Sequence, residues 1–226
     1  MYELILNEVK LILSKASGHG VDHIERVCQM ALKLAEKEKA DKEIVLLAAL
    51  LHDVDDYKFV GRENSKKLLN AKRIMQKSGI SLETQEKVAD IILTMGYSTL
   101  LKGVRPKTKE GAVVSDADML DAMGAVSVVR TLEYALLNGG KVFDKDLFPE
   151  ENVSYESYQT KATTQEPAIN HFFDKLLKLN GLMMTKSAKE EAQKRHLFMV
   201  DFLKEFFLEQ NQKEWLLYLE NYLEKH

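Results

Sequence analysis

The chain has 226 residues, 45% of them hydrophobic, with 32 basic and 35 acidic side chains and a formal net charge of -3 at pH 7. A balance this even excludes a partner chosen by bulk electrostatics, so neither nucleic acid nor an acidic membrane is expected. The one cysteine, Cys28, excludes an internal disulfide and a thiolate metal site, so any metal must be held by histidine and carboxylate.

The opening MYELILNEVK places Glu3 and Glu8 among its apolar residues, where a secretion signal needs a basic start and an unbroken apolar run. The longest apolar run, Ile44 to Leu51, is far shorter than the roughly 20 residues that span a bilayer. A cytoplasmic protein with no membrane partner is expected. Apolar residues at 24, 27, 28, 31, 34 and 35 recur every three or four positions and predict a helix from about Val21 to Lys39, with Cys28 in its core face. Asp41 is placed to cap the next helix, whose Ile44 to Leu51 segment is apolar all round and must be buried on all sides.

The same spacing recurs at Val88, Ile91, Ile92 and Met95, at Phe172, Phe173, Leu176 and Leu177, and at Met199, Phe202, Leu203, Phe206 and Phe207. It returns at Trp215, Leu216, Leu219, Tyr222 and Leu223. No stretch alternates in the manner of a half-buried strand, so the fold class is all-α, a single compact helical bundle with a C-terminal helical extension. Gly96 to Glu110, with Gly103, Pro106 and four basic residues, reads as a loop. Asn138 to Glu166, with Gly139, Gly140 and Pro149, reads as a long loop in which Tyr155 and Tyr158 could stack a base, and Pro167 as the first residue of a new helix. Met183, Met184 and the Phe202, Phe206, Phe207 stripe read as packing.

Four residues are candidates for chemistry. His23 lies in the first turn of the Val21 helix. His52 and Asp53 end the buried helix, and because adjacent helical residues point about 100° apart, both can reach one ion only where the helix opens out. Asp118 sits in VVSDADMLDAMGAV, where apolar neighbours carry acids into a core. Burying Asp53 and Asp118 costs several kcal/mol unless a cation or hydrogen bonds compensate. A divalent ion would do so, and two imidazoles with two carboxylates suit Mn, Fe, Co, Ni or Zn better than calcium. Taken alone, His52-Asp53 also fits a helix-end histidine favoured by the dipole, followed by a turn-forming acid.

Four blocks carry a resemblance: GHGVDHIERV at Gly18 to Val27, LAALLHDVDDYK at Leu47 to Lys58, SDADMLDAMGA at Ser115 to Ala125 and NHFFDKLLKLNGLMMTKSAKEEAQKRHLFM at Asn170 to Met199. In this order they resemble the HD-domain superfamily of metal-dependent phosphohydrolases, and more narrowly its bacterial YpgQ/YedJ-type branch. The resemblance implies an N-terminal helix over 1–16, an HD-type core over 17–137, and a long loop with C-terminal helices packing on that core over 138–226. It implies His23, His52, Asp53 and Asp118 as ligands of one divalent transition metal, with Mg accompanying the nucleotide as a further option. The implied reaction is nucleoside triphosphate pyrophosphohydrolysis on a small-molecule nucleotide, and a homodimer is compatible with it.

Asp56 is a candidate to orient or deprotonate the attacking water, and Lys58 to neutralise phosphate charge. Arg26, one turn beyond His23, could grip a phosphate, and His171 with Lys175, four apart, could close the substrate pocket. Gly20 and Met119 depart from the branch pattern, standing where an acid and an arginine are common. Rival readings are a (p)ppGpp hydrolase, against which HDVDDY in place of HDxxED weighs; a cyclic-nucleotide hydrolase, a class that tends to have additional histidines for a second metal, where this chain offers only His19, His171, His196 and His226 beyond the first two; and a metal-stabilised binding module without turnover.

Overall fold

The computed structural model describes residues 2–14, 20–149 and 166–225. Among the described residues there is no strand. The chain divides into two compact units, 1–118 and 119–226.

The first unit runs through α1 (Tyr2–Leu13), α2 (Val21–Glu38), α3 (Lys42–Leu51), two single turns α4 (Tyr57–Val60) and α5 (Arg62–Ser65), α6 (Leu69–Lys77), α7 (Leu82–Thr94), the turn α8 (Tyr97–Leu100) and most of α9 (Lys109–Asp121). At its centre is α3, against which α1, α2 and α7 pack. Val45 and Leu47 to Leu51 are buried, so the all-apolar helix is enclosed almost entirely, with Ile44 and Leu46 partly exposed. Asp41 does cap it, its carboxylate accepting from the amides of Glu43 at 2.9 Å and Ile44 at 3.3 Å. The α2 helix ends one residue before Lys39, which adopts a left-handed conformation at φ 55° and donates its amide to Ala35. Cys28 is buried in α2, and burial, reinforced by Glu25, pushes its thiol up to about 12.

Gly20 occupies the N-cap of α2 at φ −76° with no side-chain cap. Among the described residues a Cβ there would meet only the Asp22 amide, at 3.9 Å, so an acid fits against them without strain. Gly20→Asp should therefore raise stability by about 0.5–1 kcal/mol, through capping and through lost freedom of the unfolded chain. Thermal unfolding followed by circular dichroism should show a Tm higher by about 1–4 °C; an unchanged or lower Tm would contradict the capping argument.

Two sequence expectations need correction. The Gly96 to Glu110 loop contains the helical turn α8, because Tyr97 and Leu100 are buried and anchor it. Pro167 is an N-cap, not the first helical residue: α11 (Ala168–His171) begins after it, and the chain continues as a π segment over Phe172–Leu176 and a 3₁₀ segment over Leu177–Leu182. Spacing alone does not separate these from a continuous α-helix, since Phe172, Phe173, Leu176 and Leu177 are buried in either geometry.

The second unit holds α10 (Ala125–Leu137), α11 with its π and 3₁₀ continuations, α12 (Lys186–Glu209) and α13 (Lys213–Lys225). Its core is aromatic. Trp215 is fully buried, stacks on Phe148 at 4.3 Å, meets Phe143 edge-on at 5.0 Å, and donates its indole N–H to the Lys145 carbonyl at 3.0 Å. Phe206 and Phe207 join this cluster through Phe143, and Phe202 stacks with Phe172 and Phe206, so the stripe is packing, as is buried Met183. Tyr155 and Tyr158 lie outside the described residues. Among the described residues no helix is long and apolar enough to cross a membrane.

Candidate metal centre

Three elements of the first unit converge. His23 is the third residue of α2, His52 is the C-cap of α3, and Asp118 projects from α9. Asp53 follows His52 in a turn where the Val54 amide returns to the Leu51 carbonyl at 3.3 Å and the Asp56 amide to the Asp53 carbonyl at 3.1 Å. The helix has opened at this point, which lets neighbouring side chains face the same space.

The ligand-type atoms of His23, His52 and Asp118 form one mutual group. His23 Nε2 lies 3.3 Å from His52 Nε2 and 3.5 Å from Asp118 Oδ1. His52 Nε2 lies 3.8 Å from the same Asp118 oxygen. Asp53 reaches both rings, with Oδ1 3.4 Å from His52 Nε2 and Oδ2 3.6 Å from His23 Nε2. Atoms held about 2.0–2.2 Å from a common ion lie roughly 3.0–3.5 Å apart in tetrahedral or octahedral geometry; three of the separations, 3.3 to 3.5 Å, fall in that range, and those at 3.6 and 3.8 Å lie just beyond it.

The protonation chemistry agrees. His52 Nδ1 is 2.8 Å from the Ala49 carbonyl, which can only accept, so the proton belongs on Nδ1 and the neutral ring presents a lone pair at Nε2. Burial works against a charged His52, but Asp53, Asp118, the Ala49 bond and Asp56 together outweigh it and hold its pKa above the ordinary 6.5. The site therefore attracts positive charge, as a proton or as a metal. It is enclosed unevenly: the side chains of His52, His23 and Asp53 are 5%, 8% and 11% exposed, and that of Asp118 26%. The open approach is on the Asp118 side.

The other acids have different surroundings. Asp121 is buried and paired with Arg130 at 2.7 Å within the second unit. Asp116 is fully buried in α9. Asp56 caps α4, accepting from the Lys58 amide at 2.8 Å. Lys58 is exposed, and Arg26 is half-buried one turn along from His23. His171 and Lys175 are half-buried in the second unit, at the end of α11 and in the π segment. Met119 is buried and packs without charge.

Sequence reasoning missed two contacts. Arg195 donates to the Leu120 carbonyl at 2.7 Å and to Glu191 at 2.9 Å, placing a cation at the C-terminal end of α9. Gly124 makes room for it: at φ 82°, a Cβ there would press on the Arg195 side chain at 3.2 Å. The other is Asp55, whose carboxylate is buried beneath the His52-Asp53 turn. The Arg195–Leu120 and Asp55–Ala71 contacts have no local sequence signal, because the partners lie 75 and 16 residues apart.

An all-helical fold carrying a histidine on one helix, a His-Asp pair at the end of the next and a distant aspartate defines a class, and the sequence comparison agrees: the HD domain pattern matches residues 20–123. The chain belongs to the HD-domain superfamily, in its YpgQ-like branch, and is a hydrolase of the metal-dependent phosphohydrolase kind. Bacillus subtilis YpgQ is 33% identical over 199 residues, covering 86% of each chain. A crystal structure from Lactobacillus plantarum superposes with a TM-score of 0.79 at 33% identity, over 92% of this chain and 96% of that one. An HD-superfamily hydrolase from Bacillus thuringiensis gives 0.72 at 34% identity, over 93% and 97%. The crystal structure of B. subtilis YpgQ in complex with ADP gives 0.70 at 31% identity, over 92% and 97%.

Proposed function

We propose that the protein is a nucleoside triphosphate pyrophosphohydrolase in which His23, His52, Asp53 and Asp118 hold one divalent transition metal. The observation that carries this reading is the convergence of two imidazole nitrogens and two carboxylates at 3.3 to 3.8 Å, with His52 oriented by Ala49. The YpgQ complex with ADP supports a nucleotide as the bound molecule. A divalent ion at these residues supplies Lewis acidity, making water a nucleophile at neutral pH and drawing electron density from phosphorus.

The chain's own groups do the rest. Asp118 is the most exposed of the four, so a phosphate oxygen and a water would approach from its side. Asp56 keeps one carboxylate oxygen on the Lys58 amide, which fixes its orientation and leaves the other to accept a proton from the attacking water. Arg26 and Lys58 counter phosphate charge, and His171 and Lys175 are assigned to the substrate as well.

Protein loaded with Mn, Co or Ni should be incubated with nucleoside triphosphates, (p)ppGpp and cyclic nucleotides, and the products separated by chromatography. Nucleoside monophosphate and pyrophosphate in equal amounts are expected. Orthophosphate as the first product would overturn the bond assignment, and no turnover with metal demonstrably bound would overturn the nucleotide reading.

A further inference from the structure

The His52-Asp53 turn is held in place by a reciprocal set of hydrogen bonds to a helix that carries none of the four ligands. Asp55, two residues past Asp53, is buried. Its Oδ1 accepts from the Asn70 amide at 3.1 Å and its Oδ2 from the Ala71 amide at 2.9 Å, at the first turn of α6. The Asn70 side chain answers by donating Nδ2 to the Val54 carbonyl at 3.1 Å. Leu68, at the N-cap of α6, is left-handed at φ 52° and supplies no side-chain cap, so the Asp55 carboxylate serves as the cap from a distance. An anion here is favoured by the helix dipole and by charged-acceptor hydrogen bonds.

The far end of this tie is firm. Ala71, Ile74 and Met75 of α6 are buried, α6 packs on α1 and α7, and Arg73 pairs with Glu8 of α1. The near end is the peptide that sets where Asp53 points. With Val54 fully buried between the two, the turn has little freedom to shift while both bonds of Asp55 are made.

Resting on the four-ligand reading, we propose that Asp55 is a positioning residue: it never touches the ion, but by clamping the turn to α6 it sets the distance of Asp53 from His23 and hence the metal affinity. Outer groups that orient metal ligands change affinity by about 10–100-fold when removed, and an effect in this range is expected here.

The test uses the full-length chain with Co²⁺, whose d–d absorption reports ligand geometry. Asp55→Asn, which keeps one acceptor oxygen, should weaken Co²⁺ binding about tenfold, and Asp55→Leu, which keeps none, by up to about 100-fold, with altered band positions or intensities in both. Ile74→Val, which loosens α6 without touching the clamp, should lower Tm and leave the Co²⁺ spectrum and affinity as in wild type. If Asp55→Leu does not fold, Asn70→Ala, which removes only the bond to Val54, carries the test with a smaller shift in the same direction. Wild-type affinity and spectrum in Asp55→Asn would overturn the positioning role while leaving the metal site intact. Failure of the wild-type chain to bind Co²⁺, or unchanged binding in His23→Ala, would overturn the four-ligand reading and this role with it.

Discussion

His52→Ala should yield a folded protein that binds metal at least about 100-fold more weakly and loses at least as much in kcat/KM. His52 is the group through which most of the geometry passes: its Nε2 faces His23, Asp53 and Asp118, and its other nitrogen is tied to Ala49. A factor of 100 is about 2.8 kcal/mol, the scale expected when one of four ligands is removed. Elemental analysis after gel filtration, alongside initial rates, measures both quantities. Asp121→Ala is the contrasting case. Because Asp121 is engaged by Arg130, its loss should reduce stability and leave metal content at the wild-type level. Stoichiometric metal and full activity in His52→Ala would remove the central ligand from the proposed set.

The second large effect is on stability. An ion that binds the folded chain and not the unfolded one stabilises by about 4 kcal/mol when its free concentration is 1,000 times its dissociation constant. For a chain of this length that corresponds to a rise in Tm of about 8–16 °C over the chelated protein. The gain should depend on pH in a direction set by His52. Its pKa is raised in the folded metal-free chain, so it contributes stability that is fully present below the unfolded value of about 6.5 and is lost as pH rises through the folded value. A metal must displace that proton, so its stabilising effect should shrink as pH falls and grow above about pH 6.5. Scanning calorimetry with and without chelator across this range tests it; a metal-induced shift that grew on acidification would contradict the assignment.

Parts of this molecule are written locally and parts are not. The α2 and α3 helices are legible because apolar spacing, the Asp41 cap and the Ile44 to Leu51 run all concern residues within a few positions of one another. The candidate ligands stand out by type, within three short blocks around His23, His52-Asp53 and Asp118. The π and 3₁₀ segments over 172–182 are hidden, since they bury the same residues as an α-helix would. So is the fate of each acid. Asp121 and Asp118 occupy one helix three residues apart, yet one meets Arg130 and the other faces two histidines. Only the three-dimensional arrangement separates them. Asp55 looks like one more acid in HDVDDY until Asn70 and Ala71 are brought beside it.

The unequal enclosure of the four proposed ligands bears on residence time as well as on affinity. An ion leaving the site must shed its contacts in sequence, and the carboxylate reached by solvent is the first that water or a chelator can replace. Asp118 is then the latch, and the two histidines with Asp53 are the seat. Substitution at Asp118 should quicken metal exchange more than it alters which metal is preferred, since selectivity resides in the enclosed nitrogens. The same latch stands where an incoming phosphate would arrive, so a nucleotide bound there would slow the escape of the ion beneath it.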